Sequence, residues 1–318
     1  SFSEKLSDYF QHISLSSMGM DINDLNNDGL EDVFVLDMAI EDPVRQKRLF
    51  VQDLNYDRFA LMVKLKLYYQ YAHNMLQLNT GNLSYSEIGY YAGVAETDWS
   101  WSPLIADFDN DGWKDIFVTN GYRRDLTDWD YKEFFVDSIN TRLVKGQKVM
   151  IEELYNKIPS QRIHNYFFRN NRTLRLVNHS EQWSDAPVSF SNGAAYADLD
   201  NDGDLDIVVN NIEDEAFVLR NNLNEINPSG FIRFRFYRNR ESRQELYGTI
   251  VKLFDKKGAV QLQRYDPQRG FMSSHEHTLH FGTGQDSVIT KAEIIFPSGK
   301  IITLDSVLTG QVLTLFES

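Results

Sequence analysis

Acidic residues recur at fixed spacing in three short segments of the chain. The segments are DLNNDGLED from Asp24, DFDNDGWKD from Asp107 and DLDNDGDLD from Asp198. Each has oxygen-bearing side chains at positions 1, 3, 5 and 9 of a nine-residue unit, with glycine at position 6. Because carboxylates so close together repel one another, the pattern predicts that a cation neutralises them.

The chemistry of the unit favours calcium. Ca²⁺ takes about six to eight oxygen ligands, which a short loop supplies from side chains and one backbone carbonyl around a glycine turn. We therefore predict up to three Ca²⁺ ions, with the carbonyl of position 7 as an additional ligand. The predicted ligands are Asp24, Asn26, Asp28, Leu30 and Asp32 in the first loop, Asp107, Asp109, Asp111, Trp113 and Asp115 in the second, and Asp198, Asp200, Asp202, Asp204 and Asp206 in the third. The first loop, which has Asn26 in place of an aspartate, is predicted to bind calcium most weakly.

Two other interpretations of the loops were considered. An EF-hand needs a glutamate at position 12 and flanking helices, but here position 12 is Val35, Val118 or Val209 and the flanking residues are typical of strands. Asp, Asn and Gly also form turns that bind no metal, although three copies favour the metal site over that alternative.

The segments between the loops predict strands with helical insertions. The loops begin 83 and 91 residues apart, which is longer than a compact four-stranded unit. After the second loop, Tyr131, Phe135, Ile139 and Leu143 share one face of a predicted helix, and a second helix is stopped by Pro159. A similar insertion, DRFALMVKLKLYYQY, follows the first loop. Strand pairs are predicted to follow from Met75 and from Tyr166.

The loops and their flanking strands resemble the FG-GAP/VCBS repeats of integrin-type β-propellers, over about residues 10–225. The last part of the chain resembles the ASPIC/UnbV domain, through YGTIVKLF from Tyr247, HFGTG from His280 and FPSGK from Phe296. The amino-acid sequence of the repeats is most similar to that of the bacterial, Bacteroidetes-like relatives of cartilage acidic protein. This resemblance implies calcium in the loops and a location outside the cytoplasm, at the cell surface, outside the cell or in the periplasm.

The predicted fold is mainly β, with propeller blades that carry calcium loops and helical insertions, followed by a small C-terminal β domain. We predict a propeller part over residues 1–225 and an ASPIC/UnbV-like domain over residues 226–318, divided in the polar stretch NNLNEINPSG. Propellers close with about four to eight blades, whereas three loops account for about three. Either further blades lie in the insertions or, as we expect, they precede Ser1 in a longer protein.

The composition limits the function classes. The formal net charge of −14 disfavours a nucleic-acid partner, which clustered Lys and Arg would bind. No cysteine is present, so disulfides and thiolate chemistry are excluded, and no apolar run is long enough to span a bilayer. With 42% hydrophobic and 25% charged residues, the chain is predicted to fold into a globular protein.

Three further groups of residues are weaker candidates for a site. In HEHTLH, a strand would place His275 and His277 on one face and His280 on the other, which suits a three-histidine metal site poorly. Trp99 and Trp101 form either a platform for a sugar or, more in keeping with their setting, part of the core. Arg123 and Arg124 could meet an anionic ligand, but paired or solvated arginines are the default interpretation.

The predicted function is a calcium-binding, non-enzymatic recognition or adhesion module for a glycan or protein ligand. The alternative is a propeller-based enzyme that acts on glycans, a hydrolase or lyase. Catalytic motifs such as G-x-S-x-G and H-E-x-x-H are absent from the sequence, which favours the module.

Overall fold

The protein, described here from a computed structural model over residues 2–49, 56–256 and 258–318, is mainly β. Three sheets occupy residues 20–219, two further sheets occupy residues 230–316, and helices lie in the connections. The predicted mainly-β architecture with helical insertions and a C-terminal β region is confirmed. None of the helices in the described ranges is long and apolar enough to cross a membrane.

The first three sheets have antiparallel strands and follow one another along the chain. The first contains Met20–Asn23, Asp32–Val35, Met75–Asn79 and Tyr85–Glu87. The second contains Met38–Ala39, Asp98–Ala106, Asp115–Asn120, Tyr166–Asn170 and Leu176–Asn178. The third contains Ser191–Ala197, Asp206–Asn211 and Phe217–Leu219. The predicted strand pairs from Met75 and Tyr166 are thus confirmed.

Alternating side chains hold these sheets face to face. In the strand Asp115–Asn120, Ile116 and Val118 point into a core shared with the first sheet, whereas Phe117 points into a core shared with the third. All three side chains are fully buried. Because successive strand residues face opposite sides, one continuous apolar run lets the second sheet pack on both neighbours, as blades of a propeller do.

Helices fill the two insertions. The bounds of the helices along the chain are Leu6–Tyr9, Pro43–Arg48, Tyr56–Lys64, Gly89–Ala92, Tyr131–Val136 as a π-helical turn continued by Asp137–Val144, Ile151–Lys157, Ser180–Trp183 and Leu223–Ile226. A short parallel pair joins Ile13–Ser14 to Gln70–Tyr71. The described parts of the insertions contain no four-stranded sheet, so they do not supply the additional blades that one expectation placed there.

A buried arginine fastens the first insertion to the second sheet. Arg45, in the helix Pro43–Arg48, donates its Nε to Asp98 Oδ2 at 2.8 Å and its Nη1 to Asp125 Oδ2 at 2.8 Å. All three side chains are buried. The insertion is therefore held by a desolvated ion-pair network, in which each charge depends on its partner.

The C-terminal residues form two sheets around a core of their own. One sheet contains Gly230–Tyr237, Leu279–Gly284 and Gln311–Phe316, and the other contains Ile250–Phe254, Val260–Arg264, Val288–Ile295 and Ile301–Leu308. In the second of these sheets, Ile250–Phe254 pairs with Val260–Arg264 and Val288–Ile295 pairs with Ile301–Leu308 as antiparallel neighbours. Lys257 lies outside the described residues. The core side chains, such as Phe234, Phe281 and Ile294, all come from this region. The division at residues 225 and 226 stays a prediction.

Candidate metal centres and their surroundings

Each acidic loop joins two adjacent antiparallel strands of one of the first three sheets, and the next strand of that sheet along the chain, which begins at Met75, Tyr166 or Phe217, is called its third strand below. Position 1 directly follows a strand, and position 9 is the first residue of the next strand. Two residues of each loop have left-handed backbone: the Asn at position 4, with φ of 56° at Asn27, 53° at Asn110 and 60° at Asn201, and the Gly at position 6. Asn and Gly adopt this conformation at the lowest cost, so the sequence N-D-G itself dictates the tight loop.

In the second loop, the carboxylates are oriented by backbone N–H groups. Asp107 accepts hydrogen bonds from Asp111 N at 3.1 Å and Gly112 N at 2.8 Å. Asp115 accepts from Phe108 N at 3.1 Å, and Asp111 accepts from the N–H at position 7. Backbone N–H groups therefore orient the carboxylates at positions 1, 5 and 9.

The other two loops repeat this arrangement. In the first, Asp24 accepts from the N–H groups at positions 5 and 6, and Asp32 accepts from the N–H at position 2. In the third, Asp198 accepts from Gly203 N and Asp206 accepts from the N–H at position 2. Three segments of different sequence context therefore adopt one hydrogen-bonded loop.

The second and third loops each bring together three of the four acidic side chains that the sequence singled out. Carboxylate oxygens of Asp107, Asp109 and Asp115 lie within 4.8 Å of one another, and so do those of Asp198, Asp200 and Asp202. The three carboxylates of the first loop, Asp24, Asp28 and Asp32, do not form such a set, and Asn26 takes the place of an aspartate at position 3. These sets of hard oxygen donors have the chemistry that Ca²⁺ prefers.

Two buried carboxylate oxygens in the third loop lack a hydrogen-bond partner. They are Oδ1 of Asp198 and Oδ1 of Asp204. A buried polar oxygen without a partner is costly, and a cation held together with Asp200 and Asp202 would satisfy Oδ1 of Asp198. The sequence predicted only the backbone carbonyl of Asp204 as a ligand, and its side chain does not belong to the set formed by Asp198, Asp200 and Asp202.

The pKa values of the loop carboxyls show how poorly a bare negative charge is tolerated there. Burial, and then the neighbouring charge of Asp109, raises the pKa of Asp107 and of Asp115 well above the usual range. Burial also raises the pKa of Asp32 to about 7 and that of Asp204 to about 7. A divalent cation would remove this penalty by supplying the missing positive charge.

Arginines that the sequence interpretation missed neutralise part of the second and third loops. Arg169 Nε lies 2.6 Å from Asp109 Oδ2, and Arg220 Nε lies 2.8 Å from Asp200 Oδ2. At the equivalent place in the first sheet stands Leu78. The charge difference between the first loop and the other two is therefore smaller than the count of aspartates indicates.

Three asparagines, also missed, bind the loops to the third strand of each sheet. The backbone N–H of Asn79, Asn170 and Asn221 donates to the aspartate at position 9 of its own loop, at 2.9, 2.8 and 2.8 Å. Their side-chain amides donate to the carbonyl at position 8 of that loop. The sequence signal was an asparagine that ends the third strand, as Asn79 and Asn170 do, or lies two residues beyond it, as Asn221 does.

The same asparagines connect one loop to the next. Asn170 Nδ2 also donates to Leu25 O of the first loop at 2.9 Å, and Asn221 Nδ2 donates to Phe108 O of the second at 2.8 Å. The asparagines at position 4 make a second set of links, since Asn27 Nδ2 donates to Gly112 O and Asn110 Nδ2 donates to Gly203 O. The three loops therefore form one connected row.

The C-terminal sheets pack directly on this row. Arg233, which is 2% exposed, donates Nη1 to Asp198 Oδ2 at 2.7 Å. Arg264 binds Glu31 of the first loop through two hydrogen bonds of 2.8 and 2.6 Å. A Cβ added to Gly282, in the HFGTG segment, would lie 2.1 Å from Asp107 Oδ2. Only glycine permits so close an approach to the second loop.

The histidine-rich segment HEHTLH is not a continuous strand, so the expected alternation of its side chains is wrong. The strand begins at Leu279, and the chain before it bends so that buried His275 stacks on Tyr196 at 4.1 Å. His280 Nε2 lies 2.6 Å from Asn110 Oδ1. The Nδ1 atom of His277 lies 2.7 Å from Oε2 of Glu245. These histidines contact different neighbours and do not converge.

The tryptophan and arginine candidates are occupied by internal contacts. Trp99 is buried and stacks on Tyr122, and half-buried Trp101 donates Nε1 to Gly121 O and packs against Phe271. The structure therefore favours Trp99 and Trp101 as part of the core and not as a platform for a sugar. Arg123 pairs with Glu213, and Arg124 donates to Ile158 O and lies over Tyr155, which is the default interpretation of both arginines.

A cavity of about 380 Å³ opens between the second and third sheets beside their acidic loops. Its apolar wall includes Phe108, Phe167 and Trp183, and its polar rim includes Asp109 and Arg220. Cavities of this size with a few polar groups are typical of small-ligand sites.

Two parts of the chain match known protein families. Residues 24–118 match the FG-GAP-like repeat and residues 239–318 match the ASPIC and UnbV domain, which confirms the resemblance inferred from the motifs. The chain is also 28% identical over 140 residues to cartilage acidic protein 1 of Xenopus tropicalis. The match covers 41% of this chain and 20% of that protein, so the chain spans a small part of its relative's length.

Proposed function

We propose, from the FG-GAP-like repeat and the ASPIC and UnbV domain that the chain carries, that it is a non-enzymatic recognition module stabilised by calcium outside the cytoplasm. The observation that supports this proposal best is the threefold repetition of one hydrogen-bonded acidic loop in a connected row. The loops lie where strands meet, and their carboxylates are oriented by backbone N–H groups. This arrangement suits structural ions better than acid–base catalysis.

Calcium would be held by the predicted oxygen donors of each loop. The bound ions would supply positive charge to carboxylates that are buried and mutually repelling. Each loop closes the turn between two strands of a sheet. The residues of the loop, its asparagine partner and the neighbouring loop would then be stabilised together.

Calcium binding can be tested on protein stripped with EDTA. We expect isothermal titration to show up to three calcium ions per chain, with the weakest site in the first loop. Asp111→Ala and Asp202→Ala should each remove one ion, whereas Asp305→Ala, at an exposed position outside the loops, should remove none. A stripped wild-type protein that takes up no calcium would contradict this part of the proposal.

The cavity between the second and third sheets is the proposed ligand site. Its aromatic wall suits the apolar face of a sugar ring or a peptide side chain, and the charged rim suits hydroxyl or amide groups. Asp109 on the rim is a residue of the second loop, and Arg220 pairs with Asp200 of the third. Calcium in those loops would therefore fix the shape of the rim.

Binding to a panel of polysaccharides and cell-surface proteins tests this site. We expect retention of a ligand without product release, at least about tenfold weaker after Trp183→Ala because aromatic contact area is lost. Trp129→Ala is the matched control, since Trp129 lies in the helical insertion outside the cavity. The protein would be an enzyme, and not a recognition module, if it turned over a polysaccharide and substitution of one acidic residue outside the three loops abolished that turnover.

A further inference from the structure

A second kind of polar cluster lies at the edge of the first sheet, away from the acidic loops. His12, His73 and Glu87 each offer a ligand atom, and these atoms all lie within 4.8 Å of one another. Three separate segments supply them: the chain before the strand Ile13–Ser14, the end of the first insertion, and the strand Tyr85–Glu87. We propose that this cluster is a binding site for a transition-metal ion of the zinc class.

The distances fit a tetrahedral ion. His12 Nε2 lies 3.5 Å from Glu87 Oε2. Ligand atoms about 2.0–2.2 Å from a tetrahedral Zn²⁺ are about 3.3–3.5 Å apart. This pair therefore already has the required separation. Since the three ligand atoms lie within 4.8 Å of one another, the third needs to move by little more than about 1 Å, which one side-chain torsion supplies.

Neighbouring groups fix the ligands in the form that a metal needs. His73 Nδ1 lies 2.8 Å from Asn74 O, so Nδ1 carries the proton and the lone pair available to a metal is on Nε2. Glu87 Oε1 accepts from Leu76 N at 3.2 Å and Gly89 N at 2.6 Å. A backbone partner on one atom and a free second atom are the usual support of metal-binding histidines and carboxylates.

The segment that carries His12 is held in place on both sides. Gln77 Nε2 donates to His12 O at 3.0 Å, and Ser14 Oγ donates to Asp37 Oδ2 at 2.5 Å. Phe10 stacks on Tyr85 with ring centroids 4.7 Å apart. The cluster is therefore pre-organised, and an ion need not order a loose segment before it binds.

The surroundings are apolar and leave one side open. His73 is 7% exposed and packs against the ring of Tyr90, while Tyr71 packs on His12. The side chain of Glu87 is 7% exposed and that of His12 is 26% exposed. Two imidazoles and one carboxylate with an open fourth position suit Zn²⁺ better than Ca²⁺, which prefers oxygen ligands only.

Zinc itself is the probe. Protein stripped of metal is saturated with calcium, so that the acidic loops are filled, and is then titrated with Zn²⁺ in a calorimeter. We expect one equivalent of zinc per chain. Since losing a group that merely supports a metal ligand weakens binding by about 10–100-fold, losing a ligand should cost at least about tenfold. His73→Ala and Glu87→Gln test two of the ligands, and His164→Ala, at an exposed histidine outside the cluster, should bind zinc as the wild type does.

Folding of the variants is checked by melting without zinc. Glu87→Gln keeps an oxygen that accepts from the two backbone N–H groups, and His12→Gln changes the most exposed of the three ligands. At least one of these two variants should therefore have the melting temperature of the wild type. In a correctly folded variant, unchanged zinc affinity would refute the site, as would a wild type that takes up no zinc. Cobalt adds a second readout, because a tetrahedral Co²⁺ site absorbs visible light strongly. A weak, six-coordinate spectrum would refute the tetrahedral assignment.

Discussion

Asn170 is predicted to be the most important of the three asparagines that bind the loops together. It is 2% exposed and donates Nδ2 to Leu25 O at 2.9 Å and to Lys114 O at 3.0 Å. Asn170→Ala would leave both carbonyls without a donor. At about 1–3 kcal/mol for each unsatisfied group, the loss is about 2–6 kcal/mol.

Urea unfolding at saturating calcium measures this loss as a lower midpoint with an unchanged slope. Asn171→Ala is the matched control, because this exposed neighbour bonds only within its own turn and should cost at most about 1 kcal/mol. Asn79→Ala should cost less than Asn170→Ala, since the Asn79 amide reaches the carbonyl of one loop only. If Asn170→Ala stays within about 0.5 kcal/mol of wild type, the row of loops is not a source of stability.

Three further predictions follow from the fold and the loops. Arg45→Met should destabilise the protein by about 3–5 kcal/mol, because it leaves buried Asp98 and Asp125 without their cation; a loss below about 1 kcal/mol in urea unfolding would show that the network is not needed. Burial and the charge of Arg269 lower the pKa of His275 to about 3. As the pH is lowered, the unfolded chain therefore binds a proton on this residue before the folded protein does. The stability that neutral His275 contributes is complete above the unfolded pKa of 6.5 and is lost as the pH falls toward 3. Between pH 7 and 5 the loss from this residue is about 2 kcal/mol, and His275→Gln should lose less stability than wild type over that interval; equal losses would refute the assignment. Calcium binding to the folded form contributes about 2.7 kcal/mol per site at a hundredfold excess over Kd, so chelation should lower the melting temperature by on the order of 15 °C for three sites; a melting curve that EDTA leaves unchanged in ion-free protein would contradict a structural role for calcium.

The parts of the fold that the sequence predicted are those set by local signals. N-D-G specifies the left-handed residues of the loops, and apolar runs such as that of Ile116 to Val118 specify the strands. Turn residues between apolar segments also predicted the strand pairs that begin at Met75 and Tyr166. The resemblance of the motifs to two known domains added the order of these elements along the chain.

The parts that the sequence did not predict depend on residues distant in the chain. Asn170 reaches a carbonyl 145 residues away, and Arg169 reaches an aspartate 60 residues away. Neither residue type at such a position signals a partner. In HEHTLH the alternation of residues suggested a strand, but stacking of His275 on Tyr196 bends the chain there. Tertiary contacts thus overrode a local pattern.

The third loop shows why the C-terminal unit and the loops are best understood as one structure. Asp198 uses Oδ2 to bind buried Arg233, whereas its Oδ1 is buried without a partner. The two oxygens of one carboxylate therefore face a cation supplied by the C-terminal sheets and the place where an ion would bind. Since both interactions would require the same orientation of Asp198, ion binding at this loop would be coupled to packing of the C-terminal sheets. Such coupling is reciprocal, so whatever calcium adds to the packing of the sheets, that packing adds to calcium affinity.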